Sequence, residues 1–234
     1  MTIKNSTIEG NNAYGHNGGN GGGLQTKGGG LYMDGSGTLK IIQCLIADNS
    51  LIGEGEMGFG GGIFITNVNA KIYYSTITGN TAKGGNSGGG GIWIHTGAVC
   101  DVYGSILYNN RHLSGSTGHD ALNNGTFRVH YSLYSSSGIQ GTVSFDGNNR
   151  NIDSGGTVFA SGSYQLAANS VAINGTNQGS AAADGTTLTK DLAGNKRFVE
   201  PYVDYGAYEY QGTSVDAVFA EYDDGDIDVD LDIF

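Results

Sequence analysis

Apolar and polar positions recur along the chain at a long, nearly constant interval. Asn5-Ser6-Thr7-Ile8-Glu9-Gly10-Asn11 matches Tyr74-Ser75-Thr76-Ile77-Thr78-Gly79-Asn80. Gln43 to Asn49 and Gly104 to Asn110 fit the same frame. The anchors Ser6, Cys44, Ser75 and Ser105 are 38, 31 and 30 residues apart. An aliphatic residue follows each anchor by two (Ile8, Ile46, Ile77, Leu107) and another precedes it by three (Ile3, Ile41, Ile72, Val102). Five residues after each anchor stands Asn11, Asn49, Asn80 or Asn110. A weaker fifth copy has Val129, Ser132, Tyr134 and Ser137 in these places. A second segment interleaves with the first: Gly29-Gly30-Leu31-Tyr32-Met33, Gly61-Gly62-Ile63-Phe64-Ile65 and Gly90-Gly91-Ile92-Trp93-Ile94.

Each repeat thus holds two short strand signals bounded by Gly and Asn turns. Short strands at a period of about 30 residues, without a helical signal between them, predict a solenoid. We expect an all-β fold, a right-handed parallel β-helix, with coils stacked at roughly 4.8 Å. A sandwich of antiparallel hairpins would not repeat its side chains at a fixed long interval. The aliphatic columns become the core, and the Asn column becomes a ladder of stacked amides at a turn. The longer first interval predicts a loop in the Gly-rich stretch Gly15 to Gly23.

Composition supports strands and turns. Of 234 residues, 43 are Gly and one is Pro, with no three-residue period, so collagen is excluded and glycine must serve turns and close packing. The net charge of −11 disfavours nucleic-acid partners, which select basic surfaces. From Gly212 onward the chain has eight acidic residues and no Lys or Arg, so the body alone carries only −3. No apolar run reaches 18 residues, hence no membrane-spanning helix is expected. No secretory signal opens the chain; either it has been removed or the chain starts within a larger protein. The expected organisation is coils over 1–160, a C-terminal cap over 161–211 and an acidic tail over 212–234.

Two stretches carry a family resemblance. Ser163-Tyr164-Gln165-Leu166 with Asn169-Ser170-Val171-Ala172-Ile173-Asn174 resembles Tyr-x-Leu…Ser-Pro-Ala-Ile-Asp. Asp191-Leu192-Ala193-Gly194-Asn195-Lys196-Arg197 with Val203-Asp204-Tyr205-Gly206-Ala207-Tyr208-Glu209 resembles Asp-x-x-Gly-x-x-Arg…Val-Asp-Ile-Gly-Ala-Tyr-Glu. Together they resemble choice-of-anchor Q domain proteins, large secreted bacterial β-helix proteins held at the cell surface. The coils also resemble the repeats of polymorphic outer-membrane proteins. The likeness covers about residues 1–211. Val171 stands in place of the usual Pro, Asn174 in place of Asp, and the tail after Gln211 is unlike a sorting signal. The resemblance implies an extracellular or cell-surface location and no shared reaction.

Enzymes on this fold, such as pectate lyases and polygalacturonases, cluster carboxylates on neighbouring coils for Ca²⁺ or acid–base work. Here Asp48 aligns with Gly79 and Asn109, and Asp101 aligns with Lys71 and Lys40, so no such cluster is expected. Gly53-Glu54-Gly55-Glu56-Met57-Gly58 matches a dinucleotide fingerprint but precedes a strand signal, which offers a phosphate no helix N-terminus. His112, His119 and Asp120 share a loop that could meet at a metal, although a solvated loop accounts for them without one. Cys44 and Cys100 lie two coils apart, beyond disulfide reach, and are expected as buried thiols. Asp191, Arg197, Asp204 and Glu209 are expected to form the cap, with Arg197 paired to Asp204 or Glu209.

Tyr32, Phe64 and Trp93 form a column of opposite parity to the core positions, so an outward aromatic stripe is expected. It would serve a ligand or protein interface unless a neighbouring loop covers it. The tail Asp226-Ile227-Asp228-Val229-Asp230-Leu231-Asp232-Ile233 alternates strictly, with Ile227, Val229, Leu231 and Ile233 on one face, as a half-buried docking strand would. Weak Ca²⁺ binding at its aspartates is the sole cofactor considered. The expected function is a non-catalytic structural or adhesive surface module. Self-assembly into filaments through the tail is one form of it, and tail docking on the chain's own body is the alternative. The competing reading is a polysaccharide-binding or polysaccharide-cleaving protein on the same scaffold.

Overall fold

The structure is a computed structural model that describes residues 1–15, 26–53, 58–84, 88–114, 119–176, 182–183, 185–199 and 202–212. Among these residues the secondary structure is entirely β, and all of the larger sheets are parallel. Each of the first four passes of the chain adds one strand to each of four parallel sheets in turn, and later passes extend fewer of them. The first sheet stacks Thr2–Lys4, Thr38–Ile42, Asn69–Tyr73, Val99–Tyr103, Thr126–His130 and Ser144–Asp146. The second stacks Thr7–Glu9, Leu45–Ala47, Thr76–Thr78, Ile106–Leu107, Leu133–Tyr134 and Arg150–Asn151. The third has four strands, from Asn12–Gly15 to Arg111–His112, and the fourth has five, from Leu31–Asp34 to Ile139–Gln140.

The register follows the repeat. Ile3, Ile41, Ile72, Val102 and Val129 pair in one column, and Ile8, Ile46, Ile77 and Leu107 in another. From the second coil onward these side chains are buried and form one continuous core with Ile63, Ile65, Ile92 and Ile94.

Corners are columns too. Asn5, Gln43, Tyr74, Gly104 and Tyr131 share a positive φ between the first and second sheets; Gly10, Asp48, Gly79 and Asn109 do so after the second. A side chain in this region is strained, so tyrosine at two corners shows the stack over-determining its turns.

Just past the first corner runs a hydrogen-bonded column that the repeat marks only as an anchor. The N–H groups of Cys44, Ser75 and Ser105 donate to the hydroxyls of Ser75, Ser105 and Ser132 at 3.0–3.1 Å, and the Ser132 N–H donates to Asn149 Oδ1 at 2.9 Å. Each hydroxyl donates in turn to the carbonyl two residues back, as Ser75 does to Tyr73 at 2.8 Å. A small residue with a polar tip suits this buried corner, and Cys44 takes the serine place in the second coil. Both Cys44 and Cys100 are free and buried, and burial pushes their thiols above the ordinary range.

The described part of residues 161–211, expected as a cap, lies along the flank of the stack as a strap. The Tyr164 hydroxyl donates to the Asp48 carboxylate. Leu188 and Val203 pack on Ile42, Tyr73 and Tyr74. The Ala207 N–H donates to Thr76 Oγ1 at 3.0 Å, the Gly206 N–H to the Gly104 carbonyl at 2.8 Å, and Tyr205 packs against Ile106 and Leu133. The reason is the outer face of the second sheet, where Leu45, Ile106 and Leu133 point away from the core and need an apolar cover.

Candidate functional site

The Asn column gives the stack its second internal ladder. Asn11, Asn49 and Asn80 donate through Nδ2 to Oδ1 of Asn49, Asn80 and Asn110 at 2.8–2.9 Å, and their backbone N–H groups reach the same oxygens. Room for each amide comes from the second glycine of the Gly-Gly pair. A Cβ at Gly30, Gly62 or Gly91 would lie 2.9 Å from the Cγ of Asn49, Asn80 or Asn110. In the next coil that glycine column holds Asp120, paired beside Ala121 where Gly91 precedes Ile92. Its side chain takes the ladder position. Asp120 Oδ1 accepts the Asn110 N–H at 2.9 Å and the Asn110 amide at 2.8 Å, and ends the column. The sequence signal was a Gly-Gly pair replaced by His119-Asp120.

Asp120 is buried yet borders an open cleft of about 450 Å³, lined also by Tyr108, Arg111, His112, His119, Ser135 and Ser137. Burial pushes its carboxyl up to about 7; the Asn110 hydrogen bonds oppose the shift and nearby Asp153 adds to it. Asp153 behaves oppositely. Burial again works upward, but the Ser135 hydroxyl at 2.6 Å, the Ser136 hydroxyl, and the Ser137 hydroxyl and N–H hold its carboxylate well below the usual range. His119 Nδ1 accepts the His112 N–H at 3.0 Å, so the neutral ring carries its proton on Nε2. The cleft therefore offers a carboxyl able to exchange a proton near neutrality, an imidazole N–H and a guanidinium, which suit a hydroxyl-rich or anionic ligand. His112, His119 and Asp120 all line this cleft, but no group of three metal-binding side chains comes within reach of one ion among the described residues.

The aromatic stripe forms in register, with Phe64 paired to Tyr32 and Trp93. It is not open, and this corrects the exposed-stripe expectation for Phe64 and Trp93, which are 1% and 6% exposed. The strand Gly58–Phe59 runs over them, with Phe59 edge-on to Trp93 at 3.9 Å, and the Lys27 ammonium sits 5.3 Å from the Phe64 ring. Only Tyr32, 45% exposed and stacked on Phe64 at 5.5 Å, still faces outward.

The four proposed cap residues gather in the strap. Arg197 is fully buried, 3.7 Å from Glu209 Oε2, with its guanidinium 4.9 Å from the Tyr74 ring centre. It donates to the Asp204 and Gly206 carbonyls at 3.2 and 2.8 Å, so its contact with Asp204 runs through the backbone. The Asp204 carboxylate instead accepts the N–H groups of Asn174 and Tyr210, both at 2.7 Å. Asp191 accepts those of Asn195 and Glu209 at 2.8 and 3.1 Å. Burial, with Asp204 nearby, pushes Glu209 up to about 8 despite Arg197. Every carboxylate here accepts backbone N–H groups, so together with Arg197 they tie the strap's own chain together.

The proposed docking residues Ile227, Val229, Leu231 and Ile233, and the tail aspartates considered for Ca²⁺, lie outside the described residues, as do Glu54 to Met57 of the glycine-rich fingerprint. Among the described residues, no helix is long and apolar enough to cross a membrane. Comparison with family models, curated proteins and solved structures finds no match to this chain.

Proposed function

We propose that the chain is a right-handed parallel β-helix module of a bacterial secreted or surface-displayed protein, with a structural or adhesive role and no catalysis. The observation that carries this reading is the pair of buried hydrogen-bond ladders running coil to coil. Ladders of this kind lock register and stiffen a stack along its axis, as a spacer or a display rod requires. The resemblance of residues 163–174 and 191–209 to choice-of-anchor Q proteins points to the same compartment. A glycan and cell-wall polysaccharide array, run beside a turnover assay on pectin, alginate and other acidic polysaccharides with and without Ca²⁺, tests it. The expected result is no cleavage and no unsaturated product. Turnover lost on a single Asp substitution would overturn the non-catalytic reading.

A second reading, a polysaccharide-binding or polysaccharide-cleaving protein, is favoured by the cleft at Asp120, because a carboxyl held near 7 beside an open cavity is costly to the fold and typical of working sites. An acidic glycan captured by the array and released by Arg111→Ala or His119→Ala would support it.

A further inference from the structure

The cleft at Asp120 exists because the fifth pass of the chain leaves out a strand. Each earlier pass places a strand on the third sheet between those on the second and the fourth. In the fifth, only Ser135, Ser136, Ser137 and Gly138 join Leu133–Tyr134 to Ile139–Gln140, too few to cross that side as a strand. Among the described residues the third sheet therefore ends at Arg111–His112, in the middle of the chain's course. Beside that last strand lies the cleft of about 450 Å³. Arg111, His112, His119 and Asp120 line it from the fourth pass, Ser137 and Gly138 from the fifth.

Existing hydrogen bonds decide which atoms are left for a ligand. His119 Nδ1 accepts the His112 N–H at 3.0 Å, so Nε2 is a donor whether the ring is neutral or charged. Asp120 Oδ1 accepts both the N–H and the amide of Asn110, so a proton on this carboxyl sits on Oδ2. Glycine at 138 makes room for that oxygen, because a Cβ there would lie 2.3 Å from it. The carboxyl keeps its proton up to about 7, since burial outweighs the Asn110 bonds. The charge of Asp153 is already met by four donors from Ser135, Ser136 and Ser137. Near neutrality the cleft thus offers donors from His119 and Asp120, with exposed Arg111 beside them. A carboxylate, which only accepts, matches such a set. The volume falls in the range of roughly 300–1,000 Å³ typical of small-molecule sites, and exposed Leu113 adds apolar lining for the carbon face of a ring.

We propose, resting on the second reading above, that this cleft takes the carboxylate of a hexuronate residue in a glycan and takes it together with a proton. His119 Nε2–H and the protonated Asp120 Oδ2 donate to the sugar carboxylate, and Arg111 balances its charge. The ionisable groups around Asp120 are Tyr108, Arg111 and His112 before it, His119 beside it and Asp153 after it. Once Asp120 ionises, it and Asp153 are both negative, and a second carboxylate is repelled and loses a donor. Affinity should therefore fall about tenfold from pH 6 to pH 8, which is the change in the protonated fraction of Asp120.

The test is titration calorimetry on the full chain with three probes: an oligosaccharide ending in glucuronate, the same oligosaccharide ending in glucose, and inorganic phosphate. The glucuronate probe should bind at pH 6 and weaken about tenfold by pH 8, with the other two weaker at pH 6. Asp120→Asn keeps an acceptor for Asn110 and places an N–H where Oδ2 stood, so its affinity should change less than about twofold over the same range. Arg111→Ala, at an exposed position, should lose the preference for glucuronate over glucose. The same pH slope in the parent and in Asp120→Asn would overturn proton coupling through Asp120. Equal binding of both oligosaccharides would overturn the carboxylate and leave a polysaccharide-binding cleft standing. Phosphate binding as tightly as glucuronate would overturn the sugar. No binding of any glycan, here or on the array, would overturn this proposal and the reading beneath it.

Discussion

The coils and the strap hold together by opposite means. In the coils, one small set of interactions is used again in every pass: an aliphatic column, a serine column, an amide column and a glycine column that makes room for it. In the strap, nothing repeats. It is fixed by one buried arginine, three carboxylates that accept backbone N–H groups, and a patch of side chains laid on the flank of the second sheet. A repeated interaction loses one member and keeps its neighbours, whereas a single knot has no substitute. The strap should therefore be lost by one substitution that the coils outlive.

The largest effect is expected from Arg197→Met. It removes the cation 3.7 Å from buried Glu209, and breaking a buried pair costs about 3–5 kcal/mol. Limited proteolysis should cut within 161–211 while the far-ultraviolet signal of the coils persists; equal loss of both would erase the distinction drawn here. Next comes Ile77→Ala, which opens a cavity in the continuous core at a cost of about 2–5 kcal/mol. Chemical denaturation should show it lowering the stability of coils and strap together. Asn80→Ala should cost less, about 1–3 kcal/mol, because it leaves the N–H and amide of Asn49 without their acceptor inside the stack. Its damage should stay local, with amide exchange rising at Asn49 and Asn110 but not at Arg197.

This difference also governs what could be read from sequence. Ile8, Ile46, Ile77 and Asn49, Asn80, Asn110 stand in columns because stacking at a fixed interval turns sequence period directly into contact. The strap residues Asp191, Arg197, Asp204 and Glu209 stood out by resemblance, yet their location on the flank was not legible from the motif. A partial signal for it existed in the residue after the anchor: Leu45, Ile106 and Leu133 are apolar where an outward residue of an open sheet would be polar, although Thr7 and Thr76 hold the same place in the other coils. Which of the two readings of the aromatic stripe holds, exposed or covered, was not legible for a related reason. Parity gave the outward direction of Phe64 and Trp93, but the cover comes from Phe59, on a two-residue strand too short to carry a pattern. Asp120 was seen as a loop acid, although its replacement of the second glycine marks the point where the amide ladder ends.

The smallest perturbation concerns that ladder end, and it separates the two regions by pH. Asp120 in the fold titrates near 7, against about 3.9 in an unfolded chain. Between these values the folded state holds a proton that the unfolded state has released, so this group makes stability rise as pH falls from 8 towards 5. Glu209, raised to about 8, acts in the same direction from the strap. Asp153 acts oppositely: its depressed value means that its contribution is present above pH 4 and lost on further acidification. Maximum stability is expected between about pH 4 and 6, where the first two groups are neutral and the third is still ionised. Asp120→Asn keeps an oxygen to accept both Asn110 donors and so keeps the ladder, but removes one of the groups that set the slope. Melting followed by calorimetry should find the variant's stability relative to the parent higher at pH 8 than at pH 5 by about 2–3 kcal/mol. The slope that remains belongs to Glu209 and Asp204, both pushed up by burial, and adding Glu209→Gln should reduce it further. If Asp120→Asn leaves the pH slope untouched, Asp120 is ionised throughout this range, and the amide ladder ends on a carboxylate that the stack stabilises in full.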